Sequence, residues 1–352
     1  MAEIVDAPQI TDNFIRRLYE RIKPSLSFNA SSKQDFLKWK EELKGKIREL
    51  LGELPEPADL NPQFLSSEDK ERYTREKWMI QSEEGCWVPL YILIPKGIKG
   101  KLPAILCAHG HGPYGKDSVA GVHFNDPNRK ADISGANYNY AEQMAMAGFV
   151  TVAPDWRSFG ERIAYRNPYP GRDVCNVHFI QHLILGRTLL GCNIFDGMRA
   201  LDFLTTREYV DPNRLGCMGL SFGGTMATYL ALLDDRIKAV DIMCYATTTE
   251  HYAISRPNFC GSQLVPRLYK YADVPDVIAA IAPKPLLIES GASDTCFWIH
   301  SALKAHDVIK RAYEVAGEPD NLWIDVFPGE HSFSGKMAFS FFEKYLKSEY
   351  SS

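Results

Sequence analysis

The chain has 352 residues, 45% of them hydrophobic, and its 40 basic and 44 acidic side chains give a formal net charge of −4. This near balance lacks the basic excess of a nucleic-acid-binding protein. No apolar run approaches the roughly 18 residues needed to cross a bilayer. The first residues also lack the basic region and long apolar segment of a secretory signal. We therefore expect a cytoplasmic globular protein with neither nucleic-acid nor membrane partners.

Residues 32–51 predict a charged helix with one apolar stripe, because large apolar side chains recur there at steps of three and four: Phe36, Trp39, Leu43, Ile47 and Leu50. The stripe is expected to dock on the rest of this chain or on another subunit, so the sequence leaves a homo-oligomer open. Residues 55–67 are polar and contain prolines, which is typical of a linker. Residues 1–70 are thus predicted to form a helical extension with a linker, and residues 71–352 the main domain.

From residue 74 onward, apolar strand patterns alternate with helical patterns. Strands are predicted at 87–95, 103–108, 149–153 and 237–245, and helices at 137–146, 193–206 and 301–315. This alternation predicts the α/β class, with a mostly parallel sheet covered by helices on both faces. Functional loops in such a sheet gather at the carboxyl ends of the strands.

Two long connections, residues 162–190 and 246–274, are rich in aromatic residues, proline and arginine. Connections of this length inside a single domain are usually lids or binding loops. We expect them to border a substrate pocket, although their aromatic side chains could equally pack the loops onto the core.

The sequence Gly-Leu-Ser-Phe-Gly at residues 219–223 lies between an apolar run and a small, apolar helical pattern. A serine on a sharp strand-to-helix turn is exposed for nucleophilic attack, provided that a nearby base removes its proton. Glycines on either side leave room for the turn. Ser221 is therefore the predicted nucleophile, and the alternative is an ordinary buried corner with an incidental serine.

An acid and a base follow at the ends of later strands. Asp294 comes after the predicted strand 284–291, and His331 comes after the predicted strand 321–328. The order serine, aspartate, histidine is that of the α/β-hydrolases rather than of the chymotrypsin-like or subtilisin-like enzymes. His331 would accept the Ser221 proton, and Asp294 would hold the imidazole in the required tautomer.

Other residues compete for these roles. Asp241 and Glu289 are rival acids, but both lie inside predicted strands, where their side chains are poorly placed for a histidine on a loop. His251, His300 and His306 are rival bases, and the last two fall on or beside the predicted helix 301–315.

A tetrahedral intermediate needs two hydrogen-bond donors for its oxyanion. The backbone N–H of Phe222 is the first predicted donor, and that of His111, with Gly112 as the alternative, is the second. Alternate histidines at His109 and His111 can also chelate zinc. Because no further ligand cluster has a recognisable spacing, the sequence predicts no metal. The eight cysteines likewise show no paired spacing and are expected to be free thiols.

Four segments together resemble the α/β-hydrolase superfamily, specifically its dienelactone hydrolase-like and acetyl xylan esterase-like branch: residues 109–112, 149–161, 219–224 and 329–333. In the second segment, Ser158 stands where that branch usually has glycine. The resemblance extends from about Arg72 to the end of the chain. It implies hydrolysis of a small-molecule carboxylic ester and no cofactor. Dienelactone hydrolases use a cysteine nucleophile, so Ser221 argues against that substrate.

Trp156, Arg157 and Tyr252 are predicted to contact substrate, with a buried ion pair as the alternative for Asp155 and Arg157. The sequence as a whole predicts a serine carboxylesterase, with acetylated sugars as a candidate substrate class. One alternative is a peptidase related to the prolyl oligopeptidases, although the region before residue 71 is too short and too helical for their propeller. Another is a hydrolase-derived binding protein without turnover.

Overall fold

A single nine-stranded sheet runs through the protein in the order β1-β2-β3-β5-β4-β6-β7-β8-β9. The computed structural model describes residues 9–164, 173–258 and 260–347. Its strands are β1 (Gln63–Asp69), β2 (Tyr73–Glu83), β3 (Cys86–Pro95), β4 (Leu102–Ala108), β5 (Val150–Pro154), β6 (Val210–Leu220), β7 (Ile237–Met243), β8 (Leu286–Gly291) and β9 (Leu322–Phe327). The β1–β2, β2–β3 and β3–β5 pairs are antiparallel. The β5–β4, β4–β6, β6–β7, β7–β8 and β8–β9 pairs are parallel.

The helices of the described residues are α1 (Ile10–Arg21), α2 (Lys33–Leu51), α3 (Lys116–Val119), α4 (Pro127–Gly135), α5 (Tyr140–Met146), α6 (Cys175–Ile184), α7 (Leu189–Thr205), α8 (Phe222–Leu233), α9 (Val274–Ala279), α10 (Ile299–Ala316) and α11 (Ala338–Phe342). Strand β4 shows how they cover the sheet. Ala104 and Leu106 join a core with α7, α8 and α10, whereas Ile105 and Cys107 join a core with α5 and α11. Side chains therefore alternate between two buried faces, which confirms the predicted α/β architecture.

The N-terminal extension packs on its own chain. The predicted apolar stripe of α2 is buried, and it belongs to the same core cluster as Ile309 of α10. Ser32 begins the helix by accepting a hydrogen bond from the Asp35 N–H at 3.1 Å. The Trp39 indole N–H donates to the Leu26 carbonyl at 2.8 Å. Of the two docking surfaces that the sequence left open, the structure uses the body of the same chain.

Two segments differ from their predictions. Most of β1, residues 63–67, was expected to be linker, but β1 pairs with β2 at the edge of the sheet. All its residues are exposed, so no alternation of apolar side chains marks it in the sequence. The connection 162–190 contains α6, and the connection 246–274 contains a π-helical turn at Glu250–Ser255. Residues 165–172 and 259 of these connections lie outside the described residues.

All eight cysteines fall within the described residues and are free, as predicted. Six are buried, and Cys86 and Cys296 are half-buried. Within the ranges that the structure covers, the helices are all too short or too polar to traverse a lipid bilayer.

Candidate active site

Ser221 lies between the last residue of β6 and the first residue of α8, with φ 62° and ψ −118°. A positive φ at a residue other than glycine is strained by about 1–3 kcal/mol, and such strain clusters at functional sites. Glycine is required at both flanking positions because other backbone segments pass too close for a side chain. A Cβ at Gly219 would overlap the Gly223 backbone, and one at Gly223 would overlap the Ala108 carbonyl. The Ser221 N–H donates to the Met243 carbonyl at 2.9 Å, which fixes the turn against the end of β7.

Asp294 follows β8 and is 4% exposed. Its Oδ1 accepts the backbone N–H groups of Cys296 at 2.7 Å and Phe297 at 3.0 Å. Its Oδ2 lies 2.8 Å from Nδ1 of His331. Burial by itself would raise the pKa of Asp294, but the contact with His331 and the two N–H donors outweigh it and lower that pKa. Asp294 is therefore an anion that fixes the ring of His331.

His331 follows β9, and its side chain is 25% exposed. In the neutral imidazole that donates from Nδ1 to this carboxylate, Nε2 carries no proton and can accept one. The Phe297 ring stacks on the imidazole at 5.7 Å between centroids. Close packing also joins the acid and base loops, since a Cβ at Gly291 would overlap the Glu330 carbonyl.

Ser221, Asp294 and His331 thus stand at the carboxyl ends of β6, β8 and β9, on one rim of the sheet. Within the described residues, no hydrogen bond joins the Ser221 hydroxyl to the imidazole. Such contacts are often long without substrate and tighten in the complex. The Cys244 thiol lies within 4.8 Å of the bonding atoms of Asp294 and His331. Burial raises the pKa of Cys244, which favours the neutral thiol.

The loop after β4 is held by two tyrosines that flank the start of α5. The Gly110 N–H donates to the Tyr138 hydroxyl at 2.6 Å, and the Tyr140 hydroxyl donates to the Ala108 carbonyl. Gly110 also lies directly against the Ser221 side chain. The next N–H along the loop, that of His111, donates no hydrogen bond within the described part of the chain, and neither does the Phe222 N–H. Among the described residues both N–H groups are thus unbonded, and their role as oxyanion donors stays a prediction.

His109 is fully buried and holds this loop in place. Its Nδ1 donates to the Gly110 carbonyl at 2.8 Å, and its Nε2 accepts the Trp156 N–H at 3.1 Å. Burial lowers the pKa of His109 to about 4, so the ring is neutral. Both ring nitrogens of His109 are engaged within the protein, so neither is available to bind a metal. His109 and His111 therefore do not chelate zinc as a pair.

The rival acids are placed where they cannot orient His331. Asp241 and Glu289 are both fully buried in strands β7 and β8. Burial, together with the neighbouring carboxyl groups, raises the pKa of Asp241 well above its usual range, and burial raises that of Glu289 to about 8. Glu289 instead accepts the Ser334 N–H at 2.8 Å, and Ser334 also donates to Asp325.

The rival bases are also engaged elsewhere or turned to solvent. His251 accepts the Trp298 N–H at 3.2 Å, and His306 lies 3.2 Å from the Ser290 hydroxyl. Burial lowers the pKa of His306 to about 4. His300 is exposed on α10.

Two of the predicted pocket residues are built into the core instead. Arg157 binds Asp196 through two hydrogen bonds of 2.9 Å and Glu83 through one of 2.8 Å. These carboxylates occupy its guanidinium, so Arg157 forms the buried ion pair that the sequence offered as the alternative. Trp156 is fully buried, and its backbone supports His109. Both side chains are buried, so a role in contacting substrate stays a prediction.

Tyr252, the third predicted pocket residue, lies nearer the site. It is 5% exposed and packs on Phe297 at 6.3 Å between ring centroids. Because Phe297 in turn stacks on His331, Tyr252 supports the wall behind the imidazole. The sequence could not single out Phe297, since its role depends on contacts with residues on other segments.

Comparison with known proteins gives concordant results. A family model described as the Abhydrolase family matches residues 6–332. The candidate hydrolase YtaP of Bacillus subtilis strain 168 is 29% identical over 260 residues, which cover 72% of this chain and 81% of that protein.

Solved structures show the same fold. A candidate acetyl xylan esterase from Bacteroides fragilis is 25% identical with a TM-score of 0.72, covering 92% of this chain and 83% of that one. A glucuronoyl esterase from Solibacter usitatus is 15% identical with a TM-score of 0.64, covering 92% and 98%. The predicted resemblance to the acetyl xylan esterase-like α/β-hydrolases is thereby confirmed.

Proposed function

This chain belongs to the Abhydrolase family, and we propose that it is a serine esterase that cleaves small carboxylic esters, with acetylated sugars as its substrate class. The observation that carries the proposal is the 2.8 Å contact between Asp294 and His331 on the rim that also bears Ser221. Similarity to a candidate acetyl xylan esterase supports the choice of an acetyl ester.

In the proposed reaction, Nε2 of His331 accepts the Ser221 proton as the hydroxyl oxygen attacks the ester carbonyl carbon. The oxyanion that forms accepts hydrogen bonds from the N–H groups of Phe222 and His111. His331 then donates its proton to the departing alcohol, which leaves an acyl group on Ser221. A water molecule, deprotonated by the same imidazole, attacks the acyl-enzyme. The carboxylic acid is released as His331 returns the proton to the Ser221 oxygen. Asp294 stays ionised and stabilises the imidazolium in both steps.

A short acyl group is favoured by the aromatic side chains around the two oxyanion donors. The Phe159 ring lies 5.1 Å from the Phe222 ring and 5.2 Å from the His111 ring. Phe159 and Phe222 are both buried, so they cannot swing away to admit a long chain without opening the core. We therefore propose acetyl over octanoyl esters.

The test compares Ser221→Ala with Ser340→Ala, a matched change at an exposed serine on α11. On p-nitrophenyl acetate, Ser221→Ala is expected to lower kcat on the order of 10⁴- to 10⁶-fold, and Ser340→Ala to leave it unchanged. A fluorophosphonate probe should label the wild type and Ser340→Ala only. The substrates are p-nitrophenyl esters from acetyl to octanoyl, acetylated sugars and a dipeptide amide.

Full activity in folded Ser221→Ala would remove the assignment of the nucleophile. Cleavage of the amide without the esters would make the protein a peptidase. Folded wild type that neither turns over nor takes the label would leave a binding protein. A preference for octanoyl over acetyl would overturn the proposed acyl-group size while keeping the mechanism.

A further inference from the structure

Three metal-binding side chains from distant segments meet beside the oxyanion loop. His111 follows β4, Cys175 is the first residue of α6, and Cys260 lies in the connection 246–274. The His111 Nε2 and the Cys175 Sγ are 3.5 Å apart. All three ligand atoms lie within 4.8 Å of one another. None of the three thiol or imidazole groups has a part in the proposed ester chemistry.

We propose that His111, Cys175 and Cys260 form a zinc-binding site with an open fourth position. Two thiolates and one imidazole are a ligand set that zinc takes in proteins. Zinc binds such atoms at roughly 2.0–2.3 Å, so ligands in a tetrahedral site lie roughly 3.5 Å apart. The measured His111–Cys175 spacing already has that value, and Cys260 needs only a small adjustment.

The surroundings supply a hydrogen-bond donor for a Cys260 thiolate, the form that binds metal. The Ser262 hydroxyl lies 2.7 Å from the Cys260 sulfur and can donate to it. Both cysteines are buried, so a bound ion would be screened from competing water on that side.

A carboxylate lies close to the His111 ring. The Asp173 Oδ2 is 3.9 Å from the His111 Nε2, and its side chain is 57% exposed. His111 is 38% exposed on the same side. Metal ions can therefore enter from solvent, and water or Asp173 would complete the tetrahedron. Because thiol and imidazole ligands must be deprotonated to bind a metal, zinc binding is expected to tighten as pH rises.

Hydrogen bonds behind the ligands hold their segments together. The Gly261 N–H donates to the Asn176 side chain at 2.9 Å, which joins the Cys260 segment to α6. The Gln263 side chain donates to Thr225 of α8 at 3.1 Å. A zinc ion here would clamp both long connections onto the oxyanion loop. The binding of zinc by these side chains does not depend on the proposed ester hydrolysis.

The experiment uses the full chain, treated with a chelator and kept reduced by a phosphine, which is then titrated with Zn²⁺ or Co²⁺. One metal per chain is expected, with the near-ultraviolet thiolate-to-cobalt charge-transfer absorption and a thermal midpoint that rises with zinc concentration. Cys175→Ser, Cys260→Ser and His111→Ala should each weaken binding at least about 100-fold. The matched control is Cys86→Ser, at a half-buried cysteine outside the cluster. Ser221→Ala should bind metal like the wild type, which separates this site from the catalytic proposal.

Circular dichroism establishes that each variant is folded, and the wild-type titration decides the question even if a cysteine variant does not fold. Reduced, folded wild type that binds neither metal would overturn the zinc site. Tight cobalt binding that survives in the folded Cys175→Ser, Cys260→Ser double variant would do the same. In a separate sample freed of the phosphine and exposed to air, a Cys175–Cys260 disulfide that forms despite excess zinc would assign the pair to redox chemistry and also overturn the site.

Discussion

Asp294 and Asp196 are both buried carboxylates bound to a basic side chain, yet their roles differ. Asp294 binds the His331 imidazole, which is 25% exposed at the rim of the sheet. Asp196 binds the guanidinium groups of Arg157 and Arg162, whose side chains are 8% and 9% exposed. A guanidinium does not release its proton in a protein, whereas an imidazole exchanges one near neutral pH. The kind of basic partner and its exposure to solvent therefore separate the pair that we propose to be catalytic from the pair that stabilises the fold.

The sharpest test of this difference is Asp294→Asn. An amide can no longer hold the imidazole in the required tautomer, so kcat on p-nitrophenyl acetate should fall about 10⁴-fold. The fold should be retained, because the amide oxygen can still accept the two backbone N–H groups that Asp294 binds. Steady-state kinetics and thermal unfolding measure the two effects. A variant that keeps wild-type kcat would remove Asp294 from the site.

Asp196→Asn should show the opposite pattern. It leaves two buried guanidinium groups without their shared carboxylate, which is expected to lower the free energy of unfolding by about 3–5 kcal/mol. The matched control is Asp202→Asn, whose partly exposed ion pairs with Arg199 and Arg236 contribute at most about 1 kcal/mol. Urea unfolding compares the three proteins. The comparison fails if Asp196→Asn loses kcat but no stability.

Glu289 extends the comparison to a buried carboxyl group without a basic partner. Burial raises its pKa to about 8, while an unfolded glutamate titrates near 4.3. Between these values the folded state holds a proton that the unfolded state releases, so this group contributes less stability as pH rises through that window. Glu289→Gln removes this pH dependence, so its free energy of unfolding relative to wild type should rise by roughly 3–4 kcal/mol between pH 5 and pH 8.

Urea unfolding at both pH values measures this difference. Glu314→Gln, at an exposed position on α10, is the control and should follow the wild type at both. If Glu289→Gln shows the same pH dependence as the wild type, the Glu289 carboxyl group is not protonated in the folded protein at neutral pH.

The fold was predictable where the pattern of apolar and turn residues within one segment identifies its secondary structure. Apolar strands with turn residues after them located the ends of β6, β8 and β9, and hence the positions of Ser221, Asp294 and His331. The α2 stripe was equally local, since its side chains repeat at helical spacing. Each prediction needed only neighbours in the sequence and the rule that parallel strands end at one edge of a sheet.

The remaining features depend on contacts that leave no local pattern. Strand β1 is polar and exposed, and only pairing with β2 makes it a strand. Arg157 follows a strand as a pocket residue would, and its partner Asp196 comes from α7. The three residues of the proposed zinc site lie on separate loops and helices, so their spacing along the chain is uninformative. In each case tertiary packing, not sequence periodicity, determines the environment.

The two tyrosine hydroxyls on the loop after β4 have a consequence for how this enzyme family can vary. By capturing the Gly110 N–H and the Ala108 carbonyl, they decide which amide of the loop stays unbonded next to Ser221. We therefore expect the shape of this loop to respond to substitutions at Tyr138 and Tyr140, although neither residue is among the proposed catalytic residues.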